Sequence, residues 1–329
     1  MTGATGGLGQ ALVCEALSRG AVVRATGRDA AAGIKLSAMG AEFVPFDLTA
    51  QDGGWTALLH GCESVIHAAA LSASWGADAD FEAANVTATR RLLEAARAAG
   101  VSRFVFVSSP SVYSHLSDQI GITERNPPAG RPLNAYARTK LIAERLVLAA
   151  SDESLATCAI RPRALVGEGD RVILPRLAAL ARCPRMPLPR GGTALIELTD
   201  LRDAAWAIVE AESRAPAIAG QVINISGGQS VSVRGLALRL TKALGERPKL
   251  VNVPLALALP LATIAETLGR ITGSRTEPVL TRYTLATLAF SQTFDLERAS
   301  RLLGYEPRHD AVATLLAQAH RLAAAGEAA

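Results

Sequence analysis

Thr2-Gly3-Ala4-Thr5-Gly6-Gly7-Leu8-Gly9 places glycines at three-residue intervals directly ahead of Gln10 to Ser18, an amphipathic stretch that reads as a helix. Such a turn bends tightly, lets main chain approach a phosphate, and presents the free N–H groups and positive dipole end of a helix to it. Gly3, Thr5, Gly6, Gly7, Leu8 and Gly9 are therefore the candidate cradle for a pyrophosphate. A glycine turn that holds no ligand looks the same in isolation, so the reading depends on its surroundings.

Outward from the turn, short apolar runs alternate with helical patterns. Ala21 to Ala25, Glu42 to Phe46, Ser64 to His67 and Phe104 to Val107 read as strands, and Phe81 to Ala99 and Ala135 to Ala150 as helices rich in Ala, Leu and Arg. That order predicts an α/β fold with a doubly wound parallel sheet, its strands apolar throughout because both faces are covered. A Rossmann fold needs a strand leading into the glycine turn, yet only Met1 and Thr2 precede Gly3. Most of the first strand is expected to be missing, with the natural start several codons upstream or the sequence cut.

Residues 1–165 are expected to form a dinucleotide-binding domain, with 194–226, through strand-like Leu195 to Leu198 and Gln221 to Ile225, rejoining its sheet. A loop-rich crossing rich in Pro and Gly leads to a smaller, mainly helical substrate lobe, 166–193 and 227–329.

With 329 residues, 49% hydrophobic and 19% charged, the chain has ample material for a core and no compositional case for disorder. Its net charge of +4 comes from arginines spread along the sequence, without the basic run that nucleic-acid binding needs. Cys14, Cys62, Cys158 and Cys183 lie far apart and read as reduced thiols. His60, His67, His115, His309 and His320 show no ligand spacing and read as ordinary surface or loop residues, so no metal is expected. No signal-like segment opens the chain, and a cytoplasmic location is expected. The apolar stretch Val251 to Ile264 is interrupted by Pro254 and Pro260, too short to span a membrane, and reads as buried or substrate-facing.

Two further groups carry chemistry. After the second strand, Arg28, with Arg24 as a second candidate, is suited to a 2′-phosphate, whereas Asp29 falls where a ribose carboxylate would. NADP is favoured over NAD on this basis, a solvated turn being the alternative. Tyr136 and Lys140 lie four residues apart and share one helix face. A free phenol titrates near pH 10, so neutral-pH proton exchange requires a nearby cation such as Lys140. Upstream, the run Phe104 to Val107 ends in Ser108-Ser109-Pro110-Ser111, a placement that turns hydroxyls toward the crevice at a strand's carboxyl end.

A strand-end serine followed by a YxxxK helix resembles the extended short-chain dehydrogenase/reductase family, that is, the NAD-dependent epimerase/dehydratase superfamily, over nearly the whole chain. Asp47-Leu48, His67-Ala68-Ala69-Ala70, Asn85-Val86, Arg161-Pro162 with Gly167, and Leu303-Gly304-Tyr305-Glu306-Pro307 add to the likeness. The resemblance implies that Ser109, with Ser111 as rival, hydrogen-bonds a substrate carbonyl. Tyr136 supplies the proton, Lys140 supports it and bonds the nicotinamide ribose, and the reduced ring delivers hydride. Asp47 and Leu48 would meet the adenine and Ala68, Ala69 and Ala70 line the cofactor. Asn85 would support a proton relay or simply make a hydrogen bond at a helix N-terminus.

The apolar Leu250 to Gly269 and the stretches Glu277 to Tyr283 and Ser291 to Asp295 resemble the 3β-hydroxysteroid dehydrogenase branch, which includes bacterial reductases of 2-alkyl-3-keto acids. The implied function is interconversion of a secondary alcohol and a ketone on an apolar small molecule. Trp75 would border the substrate or fill the core, and the apolar stretches would line a pocket or merely pack the lobe. A sugar-nucleotide epimerase or dehydratase, with Arg163, Arg171 and Arg176 near a diphosphate, and a non-catalytic dinucleotide sensor are the alternatives. A homodimer on the two long helices is a family expectation.

Overall fold

The computed structural model describes residues 1–50 and 53–327. Six strands make the central sheet: β1 (Arg24–Gly27), β2 (Glu42–Pro45), β3 (Ser64–His67), β4 (Arg103–Val107), β5 (Ala156–Pro162) and β6 (Val222–Ile225). All their pairings are parallel. Thr2 bridges Thr26 on one side and His67 on the other, giving the order β2-β1-(Met1, Thr2)-β3-β4-β5-β6. Met1 and Thr2 thus stand in the slot of the first strand, held by Thr2 N–H on the Ile66 carbonyl at 3.0 Å and Thr26 N–H on the Met1 carbonyl at 2.9 Å. β1 begins three residues later than the apolar run Ala21 to Ala25, its residue pairs with β2 running from Arg24–Glu42 to Gly27–Pro45.

Side chains alternate across β4: Val105 and Val107 join one core with Leu12, Val13 and Ile208, while Phe104 and Phe106 join another with Leu92, Ala143 and Val147. Helices cover both faces, which is why the strand is apolar at every position. One layer holds α1 (Gly7–Ser18), which packs on Leu201–Ser213; the other holds Ala88–Ala98 and Ala135–Ala149. The helix expected from Phe81 starts at Asp78 and passes through a π-helical turn, Glu82–Thr87, that contains Asn85.

Beyond the sheet, two sequence expectations change. Val222–Ile225 rejoins the central sheet, but Leu195–Glu197 pairs instead with Ser230–Ser232 and Gln292–Phe294 in a second four-stranded sheet that also takes Gln119–Ile122. Arg185–Pro189 and Lys249–Val253 form a further parallel pair in the region read as mainly helical. The apolar stretch continues as a helix, Leu255–Ile271, that buries only Ala258, Ala262 and Glu266, spaced four apart. Its larger residues Leu257, Leu261, Ile264, Leu268 and Ile271 face outward, so the stretch is neither buried nor substrate-facing as a whole. Among the described residues, no helix is long and apolar enough to cross a membrane.

His67 also differs from its reading as a surface or loop residue. It is buried at the end of β3, with Nδ1 2.7 Å from Thr2 Oγ1 and Nε2 2.9 Å from Thr89 Oγ1. Burial first, then the Lys140 and N-terminal charges, holds its pKa down at about 3. Its folded pKa lies below the unfolded one, so the unfolded chain takes up a proton first. The contribution is complete above about pH 6.5 and is lost as pH falls toward 3. Between pH 7 and 4.5 the protein should lose on the order of 3 kcal/mol through this group. Denaturant titrations of wild type and His67→Gln at both pH values check this: an equal loss in the two would exonerate His67.

Candidate active site

The carboxyl ends of β1, β3, β4 and β5 open into a cleft of about 1030 Å³ that runs from the glycine turn to the small lobe. At one end, Gly3 has φ +67°, and a Cβ there would come within 2.6 Å of the Ala69 backbone nitrogen. The turn and the β3 end therefore approach as closely as bare backbone allows. α1 starts at Gly7 with no acidic side chain in its first turn, leaving its N–H groups and dipole to attract an anion. The cradle fits a dinucleotide pyrophosphate.

Gly3, Thr5, Gly6, Gly7, Leu8, Gly9, Arg28, Asp47, Leu48, Ala68, Ala69 and Ala70 all line this part of the cleft. Arg28 is exposed there, while the Asp29 carboxylate caps the helix Ala30–Ala38 by accepting from Ala32 N–H at 3.0 Å. Arg24, at the opposite end of β1, is engaged by Glu42 at 2.8 Å and the His60 carbonyl at 2.7 Å, so it does not face the cleft. Asp47 is held below the ordinary carboxylate range by hydrogen bonds from Thr49, with Arg28 acting in the same direction.

Midway, β4 delivers the serines and the helix Ala135–Ala149 delivers Tyr136 and Lys140, all lining the cleft. Ser109 caps the short 3-10 helix Pro110–Tyr113, its Oγ accepting from Ser111 N–H at 3.2 Å. The hydroxyls of Ser108 and Ser111 are buried without a partner among the described residues, as polar groups awaiting a ligand would be. Tyr136 is pushed up to about 12, chiefly by desolvation, with the Ser109 hydroxyl pulling the other way. Lys140 is 2% exposed; its Nζ donates to the Val107 carbonyl at 2.5 Å and lies 3.9 Å from the Phe106 ring centre. Desolvation brings its pKa down to about 7, against the pull of Glu144. Tyrosine and lysine share the helix face, but the ammonium is spent on β4 rather than on the phenol.

The helix that carries them is fixed from behind. Arg161, on β5, gives Nε to Glu144 at 2.8 Å, Nη2 to the other oxygen of the same carboxylate and Nη1 to the Tyr113 hydroxyl, all three groups buried. Asn85 accepts Leu71 N–H at 2.7 Å and donates to Thr139 Oγ1 at 3.0 Å. It ties the loop after β3 to the tyrosine helix from inside the π-helical turn and does not itself line the cleft. Trp75 also stands outside the lining, its Nε1 donating to the Ser274 carbonyl at 2.9 Å beside Gly269.

The far end belongs to the small lobe. Leu177, Leu180, Met186, Leu188, Val233 and Leu236 supply its aliphatic wall, and Arg163, Arg176, Glu197, Tyr283, Thr284 and Thr287 its polar lining. Sequence spacing offers no route to this wall, since its residues come from three separate segments.

A phosphate cradle at one end and a hydroxyl, phenol and ammonium at the sheet's midpoint are what a nicotinamide-dependent oxidoreductase requires. Residues 1–226 match the NAD dependent epimerase/dehydratase family, and the chain belongs to it. It is 35% identical over 94% of its length to 94% of the 2-alkyl-3-oxoalkanoate reductase of Stenotrophomonas maltophilia. It is 31% identical over 94% of its length to 91% of the 4-hydroxy-2-methyl-3-oxo-4-farnesyl-3,4-dihydroquinoline-1-oxide ketoreductase of Stigmatella aurantiaca. Among solved structures, MoeE5 in complex with UDP-glucose and NAD superposes with a TM-score of 0.73 at 28% identity, covering 98% of each chain.

Proposed function

We propose that the protein is an NADP-preferring reductase of an apolar ketone, of the 3-oxo acid or 3-oxosteroid kind. The observation that carries the reading is the group of aliphatic side chains, Leu177, Leu180, Met186, Leu188, Val233 and Leu236, that lines the same cleft as the serine, tyrosine and lysine. A sugar nucleotide would place ribose and uracil hydrogen-bonding groups against that wall. The names of the two reductase relatives, both acting on 3-oxo compounds with alkyl or farnesyl groups, support the same substrate class.

In this reading Ser109 donates to the substrate carbonyl and Tyr136 transfers its phenolic proton to the same oxygen as the alcohol forms. Lys140 turns from the Val107 carbonyl toward the phenol and the cofactor ribose. The bound nicotinamide supplies the hydride. Arg28 takes the 2′-phosphate, since Asp29 is committed to its helix cap. The deciding experiment follows NAD(P)H oxidation with a 2-alkyl-3-oxoalkanoate and a 3-oxosteroid, and the appearance of the epimeric sugar nucleotide with UDP-glucose. Reduction of a 3-oxo compound, at least about tenfold more efficient with NADPH than NADH, is expected. Turnover of UDP-glucose alone would overturn the reductase assignment, and cofactor binding with no turnover would indicate a sensor.

A further inference from the structure

Arg161 and Arg163 are two residues apart, both nearly buried at 4% and 7% exposure, and their circumstances are opposite. The first is saturated by Glu144 and Tyr113. Arg163 has its backbone fixed, N–H to the Ile225 carbonyl at 2.8 Å and carbonyl to Thr199 Oγ1, yet its side chain makes no hydrogen bond or ion pair among the described residues. Its Nε is buried without a partner among the described residues, and a buried cationic group left unpaired is a standing cost to the fold. The side chain lines the cleft, so the missing partner can arrive from there.

We propose that Arg163 is a specificity-determining residue that binds the carboxylate of a long-chain acid substrate, whose alkyl chain then lies along the aliphatic wall. This rests on the reductase reading and narrows it to anionic substrates. The other cations of the cleft are unsuited. Arg176 is held by Glu277 at 2.8 Å and Ser74 at 2.9 Å; Arg171 is exposed, 4.0 Å from Asp29; Arg28 is at the glycine-turn end; and Lys140 is on Val107. One unpaired planar cation among aliphatic side chains matches one carboxylate, bidentate, better than the two charges of a diphosphate.

Tyr283 links this subsite to the chemistry. Its side chain, Arg163 and Tyr136 line one cleft, so a carboxylate on Arg163 occupies the space that the proton donor also faces. The acid that acts on Arg163 is Glu197, whose carboxylate is already occupied by Ser226 Oγ and the Phe294 N–H. It offsets part of the charge and leaves the guanidinium edge to a ligand.

The test is equilibrium binding of dodecanoate and of dodecan-1-ol to the full-length protein, wild type, Arg163→Met and Arg163→Lys. Wild type should bind dodecanoate the more tightly, by roughly thirtyfold. Arg163→Met should bind both equally, and Arg163→Lys should keep part of the preference. The ligand-free Arg163→Met protein should melt close to wild type, because the guanidinium makes no hydrogen bond or ion pair among the described residues and Glu197 keeps its Ser226 and Phe294 partners. Equal binding of acid and alcohol by wild type, an undiminished preference in Arg163→Met, or an unfolded Arg163→Met protein would each overturn the proposal. None of these readouts needs turnover, so failure of the reductase assay and failure of the carboxylate subsite are told apart.

Discussion

If the proposed ketone reduction holds, Tyr136→Phe is expected to lower its kcat by roughly 10²–10⁴-fold while leaving the dissociation constant of the reduced dinucleotide within about twofold. The substitution removes one oxygen and keeps the ring, so the packing of the helix Ala135–Ala149 is retained. What disappears is the proton. Desolvation holds the phenol up at about 12, so at neutral pH Tyr136 is fully protonated and already in the form that reduction consumes. The reverse reaction requires the phenolate, which the same desolvation penalises, and it depends on Lys140 leaving the Val107 carbonyl. Single-turnover reduction, with cofactor binding followed by fluorescence, separates the two quantities. Unimpaired turnover in Tyr136→Phe would remove the phenol from the chemistry, whatever its position.

Why the sequence could point to Tyr136, Lys140 and the glycines as cleft residues, and not to the aliphatic wall, follows from how each is built. The cradle and the tyrosine helix are local: their residues sit within one turn or one helix, and their spacing is the geometry. β3 and β4 were legible for a related reason, being apolar on both faces because helices cover both. β1 was displaced because its extent is set by partners distant in sequence, and Leu195–Glu197 went to the wrong sheet because an apolar run does not name its neighbour. The helix Leu255–Ile271 inverted expectation, since three small or paired residues make its inward face and the leucines are left outside. His67 was misjudged for want of any sequence sign that Thr2 and Thr89 would enclose it. Arg163 was visible only as one of several arginines. Its isolation is a property of the fold.

Gly9→Ala should weaken binding of the nicotinamide dinucleotide on the order of a hundredfold, the equivalent of one or two lost charge-assisted hydrogen bonds. A Cβ at this position would lie 2.1 Å from the Gly3 carbonyl oxygen and 2.5 Å from Ala4 Cα. Both are backbone atoms, so no rotamer change relieves the clash and the start of α1 must move away from the turn. That movement takes the first N–H groups of the helix off the phosphates, which is where their contribution to binding arises. The overpacking should also cost about 1–3 kcal/mol of stability. Gly130→Ala is the control, being exposed with nothing within 4 Å of its would-be Cβ, and it should change neither quantity. If Gly9→Ala is destabilised but binds the dinucleotide normally, the glycines serve the packing of α1 against the sheet and the anion is held elsewhere. If it is stable and binds poorly, the close approach of turn and helix exists for the cofactor.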